Sequence, residues 1–222
     1  MNIPFSLSAR DEKFFYNFCQ KNNFNQHQSD QFLSYLSLLY TTNQNFNITA
    51  IQGGQASIER HFEDSLAIAN FINCNEVVGV VDVGSGGGFP GIPLKIAFPH
   101  LTLILIEIVQ KKISFLNEVI EELGLENSSV YSCDWRTFLR KTDYHVDLFL
   151  ARASLDPQEL IRIFKPSSPY QNSHLVYWAS SLWQPNLKEK MYIRGEWPYT
   201  LQNKERRLIL FAQEEKCKLL KK

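Results

Sequence analysis

Five glycines fall within the eight residues 84–91 (GSGGGFPG), a segment that we call the glycine turn. The apolar, β-branched run 77–81 precedes it, and Asp82 follows directly on that run. Such a run predicts a strand buried on both faces of a parallel sheet. Glycines after the strand allow positive φ and a close approach of the backbone to a ligand. Because open α/β sheets bind ligands at the carboxyl ends of their strands, the glycine turn predicts a ligand-binding crevice.

Two further acidic residues follow later predicted strands. Glu107 comes after the apolar run 101–106, 23 residues beyond Gly84, and Asp134 comes after the run 129–132. A carboxylate at the first position can accept hydrogen bonds from both hydroxyls of a ribose. A carboxylate or backbone group at the second can meet the amino group of an adenine. Three such features at three successive strand ends predict a ligand that contains adenosine.

Two adenosine-containing ligands compete for this pattern, S-adenosylmethionine and a dinucleotide. A literal GxGxxG occurs at 86–91, but it places Pro90 where a helix N-terminus should offer N–H groups to a pyrophosphate. Counted from Gly84, the third glycine position holds Phe89. Asp82 would repel phosphates, whereas it suits the ammonium group of a methionine moiety. The pattern favours S-adenosylmethionine, with a dinucleotide and a purely structural turn as the alternatives.

The alternation of elements predicts the fold class. Strands are expected at 77–81, 101–106, 129–132, 146–150, 175–178 and 206–210, and helices near residue 90 and at 109–123, 135–140 and 157–164. This is the pattern of a doubly wound, mostly parallel α/β sheet. Earlier Phe and Leu residues at helical spacing, with a helix at 55–73, predict an N-terminal helical extension. We expect this extension (1–73) to pack on a ligand-binding domain (74–222).

Composition limits the partners. The chain has 222 residues, 44% of them hydrophobic, and a formal net charge of zero, so it can form a packed core but has no overall attraction to nucleic acid. Binding to RNA would need positive charge gathered on one face, as in segment 204–222, which has seven basic and three acidic residues. The four cysteines are scattered, so no metal site is expected. We expect no signal peptide, no membrane span, no obligate protein partner and a cytoplasmic location.

Five segments resemble one known family. Residues 82–94 (DVGSGGGFPGIPL) are similar to the signature of the glucose-inhibited division protein B family, the bacterial 16S ribosomal RNA guanine-N7 methyltransferases. In the family's order, residues 47–51 (NITAI), 60–66 (RHFEDSL), 111–116 (KKISFL) and 151–153 (ARA) resemble its other motifs. The resemblance implies a seven-stranded, Rossmann-like methyltransferase sheet. It also implies S-adenosylmethionine as cofactor and 16S ribosomal RNA or the small ribosomal subunit as partner.

The resemblance and the spacing together select candidate site residues. Cofactor contacts are expected from nine residues: Asp82, Gly84, Gly86, Gly88, Phe89, Glu107, Asp134, Trp135 and Arg152. RNA contacts are expected from six: Arg60, His61, Lys111, Lys112, Arg206 and Arg207. For four of these six a structural role is the alternative: His61 as a core histidine, Arg60 paired with Asp64 on its helix, and the two lysines on a solvated helix face.

Three positions depart from the family pattern. Ser154 follows the Arg-Ala motif where the family has an apolar residue, and Trp178-Ala179-Ser180 replaces its Lys-Gly. The segment 165–170 (KPSSPY), with two prolines, is also unusual for the family. These departures concern contacts with the substrate rather than the predicted cofactor site.

Methylation at guanine N7 requires few catalytic groups. This nitrogen has a lone pair and no proton, so the reaction needs correct positioning and charge stabilisation but no general base. Arg152, expected at the end of a strand, is the candidate catalytic residue, because arginine recognises the O6/N7 edge of guanine. Two alternatives remain, a methyltransferase of the same fold acting on another substrate and an RNA-binding or assembly factor with weakened catalysis.

Overall fold

A computed structural model describes residues 6–51, 53–213 and 219–221, and within them seven strands form one sheet. The strand order is β3-β2-β1-β4-β5-β7-β6. Strands β1 to β5 are parallel, and β7 runs antiparallel to both β5 and β6. The predicted doubly wound, mostly parallel, seven-stranded sheet is confirmed. The strands are β1 (Gly79–Val83), β2 (Thr102–Ile106), β3 (Ser128–Tyr131), β4 (Leu148–Arg152), β5 (His174–Ser180), β6 (Ile193–Leu201) and β7 (Lys204–Phe211).

Helices cover the sheet and precede it. They are α1 (Ala9–Lys21), α2 (Gln26–Asn45), α3 (Gly54–Ser57), α4 (Asp64–Leu66), α5 (Gly91–Ala97), α6 (Gln110–Glu122), α7 (Trp135–Lys141), α8 (Pro157–Leu160) and α9 (Leu187–Lys190). Short 3-10 turns follow at Ala67–Asn70, Cys74–Glu76 and Ile161–Phe164. The predicted helix at 157–164 is therefore α8 continued by a 3-10 turn.

The predicted helix at 55–73 contains an irregularity. Between α3 and α4 the chain forms a π-helical turn, Ile58–Glu63, in which the Asp64 N–H donates to the carbonyl of Glu59, five residues earlier. The helical stretch ends at Asn70 rather than at residue 73. The expected end is wrong because Asn73 donates its N–H to the carbonyl of Leu219 at 2.7 Å, so backbone pairing with the C-terminal residues replaces the last turn.

Side chains alternate between two hydrophobic cores on opposite faces of the sheet. All five residues of β1 are buried. Val80 packs in one core with Leu148 and Leu150, whereas Val81 packs in the other with Phe149. A strand buried on both faces explains the unbroken apolar run that precedes the glycine turn.

The N-terminal helices pack into the first of these cores. Phe32 and Tyr35 of α2 are fully buried there. Gln31 donates its buried amide to the carbonyl of Leu123 at 2.7 Å, and the Tyr35 hydroxyl donates to the carbonyl of Gly87 in the glycine turn. Helix α2 therefore supports the glycine turn from behind. The proposed boundary between residues 73 and 74 stays a prediction. No helix in the described part of the chain is long and apolar enough to cross a membrane.

Truncating Phe32 to alanine should test whether the helical extension and the sheet unfold together. The ring is 0% exposed and lies 5.0 Å from the Phe62 ring, centroid to centroid, so its removal leaves a cavity. We expect the free energy of unfolding to fall by about 3–5 kcal/mol in one transition. Urea unfolding followed by circular dichroism measures this. Leu33→Ala, on the exposed side of α2, should cost less than about 1 kcal/mol; two separate transitions would contradict a shared core.

Candidate functional site

The glycine turn has the backbone conformation that its composition predicts. Gly84 has φ +69° and Gly86 has φ +61°, values that residues with a Cβ rarely adopt. A Cβ on Gly84 would also lie 2.6 Å from the Cβ of Ser154, which follows β4. The Ser85 N–H donates to the carbonyl of Ile106 at 3.0 Å and so ties the turn to β2. The turn therefore requires glycine at position 84 for two independent reasons.

The Glu107 carboxylate holds this turn in place. One oxygen accepts from the Gly86 N–H at 2.9 Å, and the other accepts from the N–H groups of Ile108 and Val109 at 2.8 and 2.9 Å. The residue is buried, and it lies at the end of β2 as predicted. A carboxylate is needed here because it can accept several N–H groups at once from two segments of backbone.

Two cavities meet at the glycine turn. Cavity A, about 450 Å³, lies along the ends of β1 and β2 and includes Glu107, Asp134 and Trp135 in its wall. Cavity B, about 300 Å³, lies between the glycine turn and the π-helical turn and is lined among others by Arg60, His61, Phe89, Arg152 and Arg206. The residues Gly84, Lys112 and Ala153 line both cavities. Together they form one cleft with an acidic half and a basic half.

Asp134 and Trp135 form the far wall of cavity A. The Asp134 carboxylate caps α7, accepting from the Thr137 N–H at 3.0 Å and from the Thr137 hydroxyl at 2.7 Å. These hydrogen bonds hold the pKa of Asp134 below its usual value. Trp135 is buried, and its indole N–H donates to the carbonyl of Glu159 at 3.0 Å. Both residues therefore shape the wall while their own polar groups are largely satisfied.

Arg152, at the end of β4, is held by the π-helical turn opposite it. Its Nη1 donates to Oδ2 of Asp64 at 2.9 Å and to the carbonyl of Arg60 at 3.1 Å. Its Nη2 lies 3.2 Å from Nδ1 of His61, and the guanidinium lies 5.2 Å from the centre of the Phe89 ring. The guanidinium is therefore fixed in cavity B by contacts on three sides.

The buried Asp64 carboxylate is the centre of this arrangement. It is 1% exposed and accepts from the Tyr199 hydroxyl at 2.6 Å, from Arg152 at 2.9 Å and from Arg206 at 3.5 Å. Burial of the Tyr199 hydroxyl raises the pKa of Tyr199, and the negative charge of Asp64 raises it further. The expectation that Asp64 pairs with Arg60 on the same helix is wrong, because the carboxylate faces the sheet. Sequence reasoning missed both Asp64 and Tyr199 as site residues.

His61 links Arg152 to the loop after α2. Its ring is buried and stacks on Phe89, with centroids 4.0 Å apart. Burial, with the nearby charges of Arg152 and Arg60, lowers the pKa of His61 to about 3, so the ring is neutral at physiological pH. Because Nδ1 accepts from Arg152, the proton sits on Nε2 and is donated to the Thr49 hydroxyl at 2.8 Å. His61 is thus a buried core histidine, as the structural alternative expected, and it also lines cavity B.

A match to one family decides what this cleft belongs to. The model of the GidB family, described as rRNA small subunit methyltransferase G, matches residues 28–217. The chain belongs to this family. The resemblance drawn from residues 47–153 is therefore confirmed.

Curated members of the GidB family are similar over part of their length. The Ribosomal RNA small subunit methyltransferase G of Halalkalibacterium halodurans is 42% identical over 130 residues, which are 58% of this chain and 55% of that protein. The protein of the same name from Lachnoclostridium phytofermentans is 38% identical over 144 residues, 64% of this chain and 60% of that protein. The matched region thus spans little more than half the length of these relatives.

Solved structures share the fold at low identity. MtNAS in complex with MTA and tNA has a TM-score of 0.52 and 15% identity, covering 90% of this chain and 73% of that one. The human methyltransferase 10 domain containing protein has a TM-score of 0.50 and 12% identity, covering 63% of this chain and 73% of that one. At these identities the likeness shows a common Rossmann-like fold and nothing about substrates.

Some candidate residues of this GidB family member lie away from the cleft. Asp82 and Gly88 line neither cavity: Asp82 is fully buried and accepts from the Gly91 N–H at 3.0 Å, behind the glycine turn. Gly88 faces Tyr35 and Ile92 in the core. The geometry gives both residues a supporting position, and their predicted contact with a cofactor stays a prediction.

The predicted RNA-binding residues divide into two groups. Arg60, His61, Lys112 and Arg206 line cavity B. Arg207 points elsewhere, pairing with Glu196 at 2.7 Å and donating to the carbonyl of Ser180 at 3.2 Å. Lys111 lies over the Phe46 ring, 4.9 Å from its centre. Of the two arginines of β7, Arg206 is thus the one that faces the cleft.

Replacing Asp82 by asparagine should change how stability depends on pH. Burial raises the pKa of Asp82 to about 7 from an unfolded value of 3.8. Stability from the protonated carboxyl is therefore complete below pH 3.8, declines above it and is gone once pH rises through 7. Asparagine cannot ionise, so the variant does not lose this stability as pH rises. The free energy of unfolding of Asp82→Asn minus that of wild type should therefore increase by roughly 2–4 kcal/mol between pH 4 and pH 8. Urea titrations at several pH values measure this difference, and parallel curves would contradict it.

Proposed function

We propose that this chain is an S-adenosylmethionine-dependent methyltransferase that methylates N7 of a guanine in 16S ribosomal RNA. The observation that carries the proposal is the cleft itself, in which an acidic cavity and a basic cavity share Gly84 of the glycine turn. Cavity A suits a nucleoside cofactor, and cavity B suits an electron-rich base attached to a phosphate chain. Membership of the GidB family supports both assignments.

The residues around cavity A fit the cofactor. The backbone of the glycine turn reaches the wall of cavity A at Gly84, with no side chain between it and the cavity, as close binding to a methionine moiety requires. Glu107 offers about four lone-pair positions, of which three accept backbone N–H groups. It therefore retains one acceptor for a ribose hydroxyl. Asp134 and Trp135 are placed to enclose the adenine.

The chemistry in cavity B is one of positioning. When bound, S-adenosylmethionine supplies an electrophilic methyl group, and the attacking guanine N7 carries no proton that must be removed. The carboxylate in the wall of cavity B, Asp64, is occupied by Arg152, Arg206 and Tyr199, which fits a reaction without a general base. Among the residues that the structure describes, three of the five N–H donors of Arg152 are engaged, which leaves two for the O6 edge of the base.

Gly84→Ala should weaken cofactor binding strongly without unfolding the protein. The added methyl group lies 2.6 Å from Ser154 and occupies a backbone conformation with φ +69°. We expect the Kd for S-adenosylhomocysteine, measured by calorimetry, to rise at least about 30-fold, equivalent to about 2 kcal/mol. The matched control is Gly124→Ala, after α6 and outside both cavities, where a Cβ has similar backbone strain (φ +59°) but no neighbour within 4 Å. Adding Ser154→Gly should recover part of the lost affinity; no recovery would contradict the clash.

Methyl transfer should be tested with two RNA substrates in parallel. The full chain is incubated with labelled S-adenosylmethionine and either undermethylated small ribosomal subunits or naked 16S ribosomal RNA, and the labelled nucleoside is identified by mass spectrometry. We expect N7-methylguanosine at one position. Arg152→Ala should lower kcat by about 100-fold because the base loses its positioning contact, while Lys190→Ala, exposed on α9, should not change it.

Two outcomes would contradict the proposal. Transfer to a small molecule or protein but to neither RNA would favour a different methyltransferase of this fold. Tight RNA binding without transfer to any substrate would favour the RNA-binding or assembly factor. Full activity of Arg152→Ala would remove that residue from the mechanism while leaving the substrate assignment intact.

A further inference from the structure

A second basic surface lies outside the cleft, on the side of α7. Four cationic side chains line one open groove of about 580 Å³: Arg136, Arg140, Arg162 and Lys165. We call it the α7 groove. None of the four belongs to the motifs that resemble the family signature. The rest of its lining is mainly small or polar, with Leu139 and Pro169 as the apolar members, so it does not suit an apolar partner.

The charge of the α7 groove contrasts with that of the whole chain, which is zero. Glu159 pairs with two of the four cations, Arg136 and Arg162, both at 2.9 Å. These ion pairs hold two guanidinium groups in place and leave a positive excess. Arg140 and Lys165 have no ion pair with an acidic side chain among the described residues, and both are exposed. A groove of this kind attracts an anion with several charged groups.

The wall of the α7 groove is preformed. Its outer side is the unusual segment 165–170, in which the Ser168 N–H donates to the carbonyl of Lys165 at 2.8 Å. Tyr170 anchors the segment: it is buried, and its hydroxyl lies 2.6 Å from that of Thr142 and accepts from the Tyr144 N–H at 3.2 Å. A rigid wall lowers the entropy lost when a ligand binds.

The α7 groove is continuous with the proposed cofactor site. Arg136 lines both the groove and cavity A, and Glu159, its ion-pair partner, lines cavity A. A nucleic acid strand with its target base in cavity B would reach the groove by running along cavity A, which shares Gly84, Lys112 and Ala153 with cavity B. Arginine binds phosphate through two parallel N–H bonds, a geometry that three of the four cations provide.

We propose that the α7 groove binds backbone phosphates of the RNA strand that carries the target guanine. This inference rests on the proposed function. It assigns Arg140 and Lys165 to phosphate contact, and it gives the two-proline segment 165–170 a role in substrate binding. Since phosphate contacts hold a strand in register without reading its sequence, the groove sets affinity rather than choice of base.

Charge reversal tests the inference. In the variant Arg140→Glu/Lys165→Glu, the Kd for a fluorescent 16S ribosomal RNA fragment should rise at least about tenfold at 0.1 M salt, and the salt slope of log Kd should fall by about two. KM for RNA should rise in parallel, whereas kcat and the Kd for S-adenosylhomocysteine should stay within about twofold, since neither residue contacts the cleft.

A matched control reverses the same amount of charge on the opposite face of the sheet. Arg10 and Lys13 are exposed on α1, which packs into the other hydrophobic core. Arg10→Glu/Lys13→Glu should bind the RNA fragment within about threefold of wild type, the effect of net charge alone. If the groove variant lost structure, as judged by circular dichroism, Arg140→Gln/Lys165→Gln would give the same selective loss at smaller magnitude.

The outcomes separate the two proposals. If the groove variant and the control variant bind RNA equally well, the groove inference is overturned even when wild type methylates the RNA. If wild type binds the RNA fragment without methylating any RNA, and the groove variant alone loses binding, the groove stands and the proposed activity fails. Loss of S-adenosylhomocysteine binding in a folded groove variant would also overturn the inference, because it would place these residues in the cofactor site.

Discussion

The buried negative charge of Asp64 is the constraint on which the cleft depends. A carboxylate at 1% exposure is tolerated when cations and hydroxyl groups surround it, and here these come from β4, β6 and β7. The side chain thus links the N-terminal helices to the far half of the sheet. Its partners Arg152 and Arg206 are two of the three arginines in the wall of cavity B, so one buried acid both joins the two regions and orders the basic half of the cleft.

Glu107 has the corresponding position in the acidic half. Both Glu107 and Asp64 are buried carboxylates, but their partners differ in kind. Glu107 accepts backbone N–H groups and so fixes the path of the chain, whereas Asp64 accepts from side chains and so fixes their orientation. The glycine turn lies between them. Its Gly86 N–H donates to Glu107, and its Phe89 ring stacks on the ring of His61. The two halves are therefore rigid for different reasons.

The sequence predicts most of the sheet and the acidic half of the cleft, because these rest on local patterns. An apolar run followed by glycines or an acid identifies a strand and its carboxyl end. This pattern was enough to predict that Gly84, Glu107 and Asp134 follow strands, and all three line cavity A. The basic half rests on contacts between residues far apart in the chain. Asp64 and Tyr199 are 135 positions apart, and neither type of residue is unusual where it stands. The sequence also does not predict which way these side chains point. Nothing in the neighbouring residues indicates that Asp82 faces inward or that Arg206, rather than Arg207, faces the cleft.

The π-helical turn at Ile58–Glu63 has a consequence for how this segment can vary. Its Asp64 N–H reaches back five residues, where an α-helix would reach back four, so the turn contains one residue more than a regular helix would use. A wide turn of this kind takes up the extra residue without changing the direction of the helical segments on either side of it. Deleting a single residue here would therefore restore regular geometry and leave Asp64 facing β4. The segment can thus lose one residue at this turn and keep its buried carboxylate in place, whereas replacing Asp64 itself would remove the partner of Arg152.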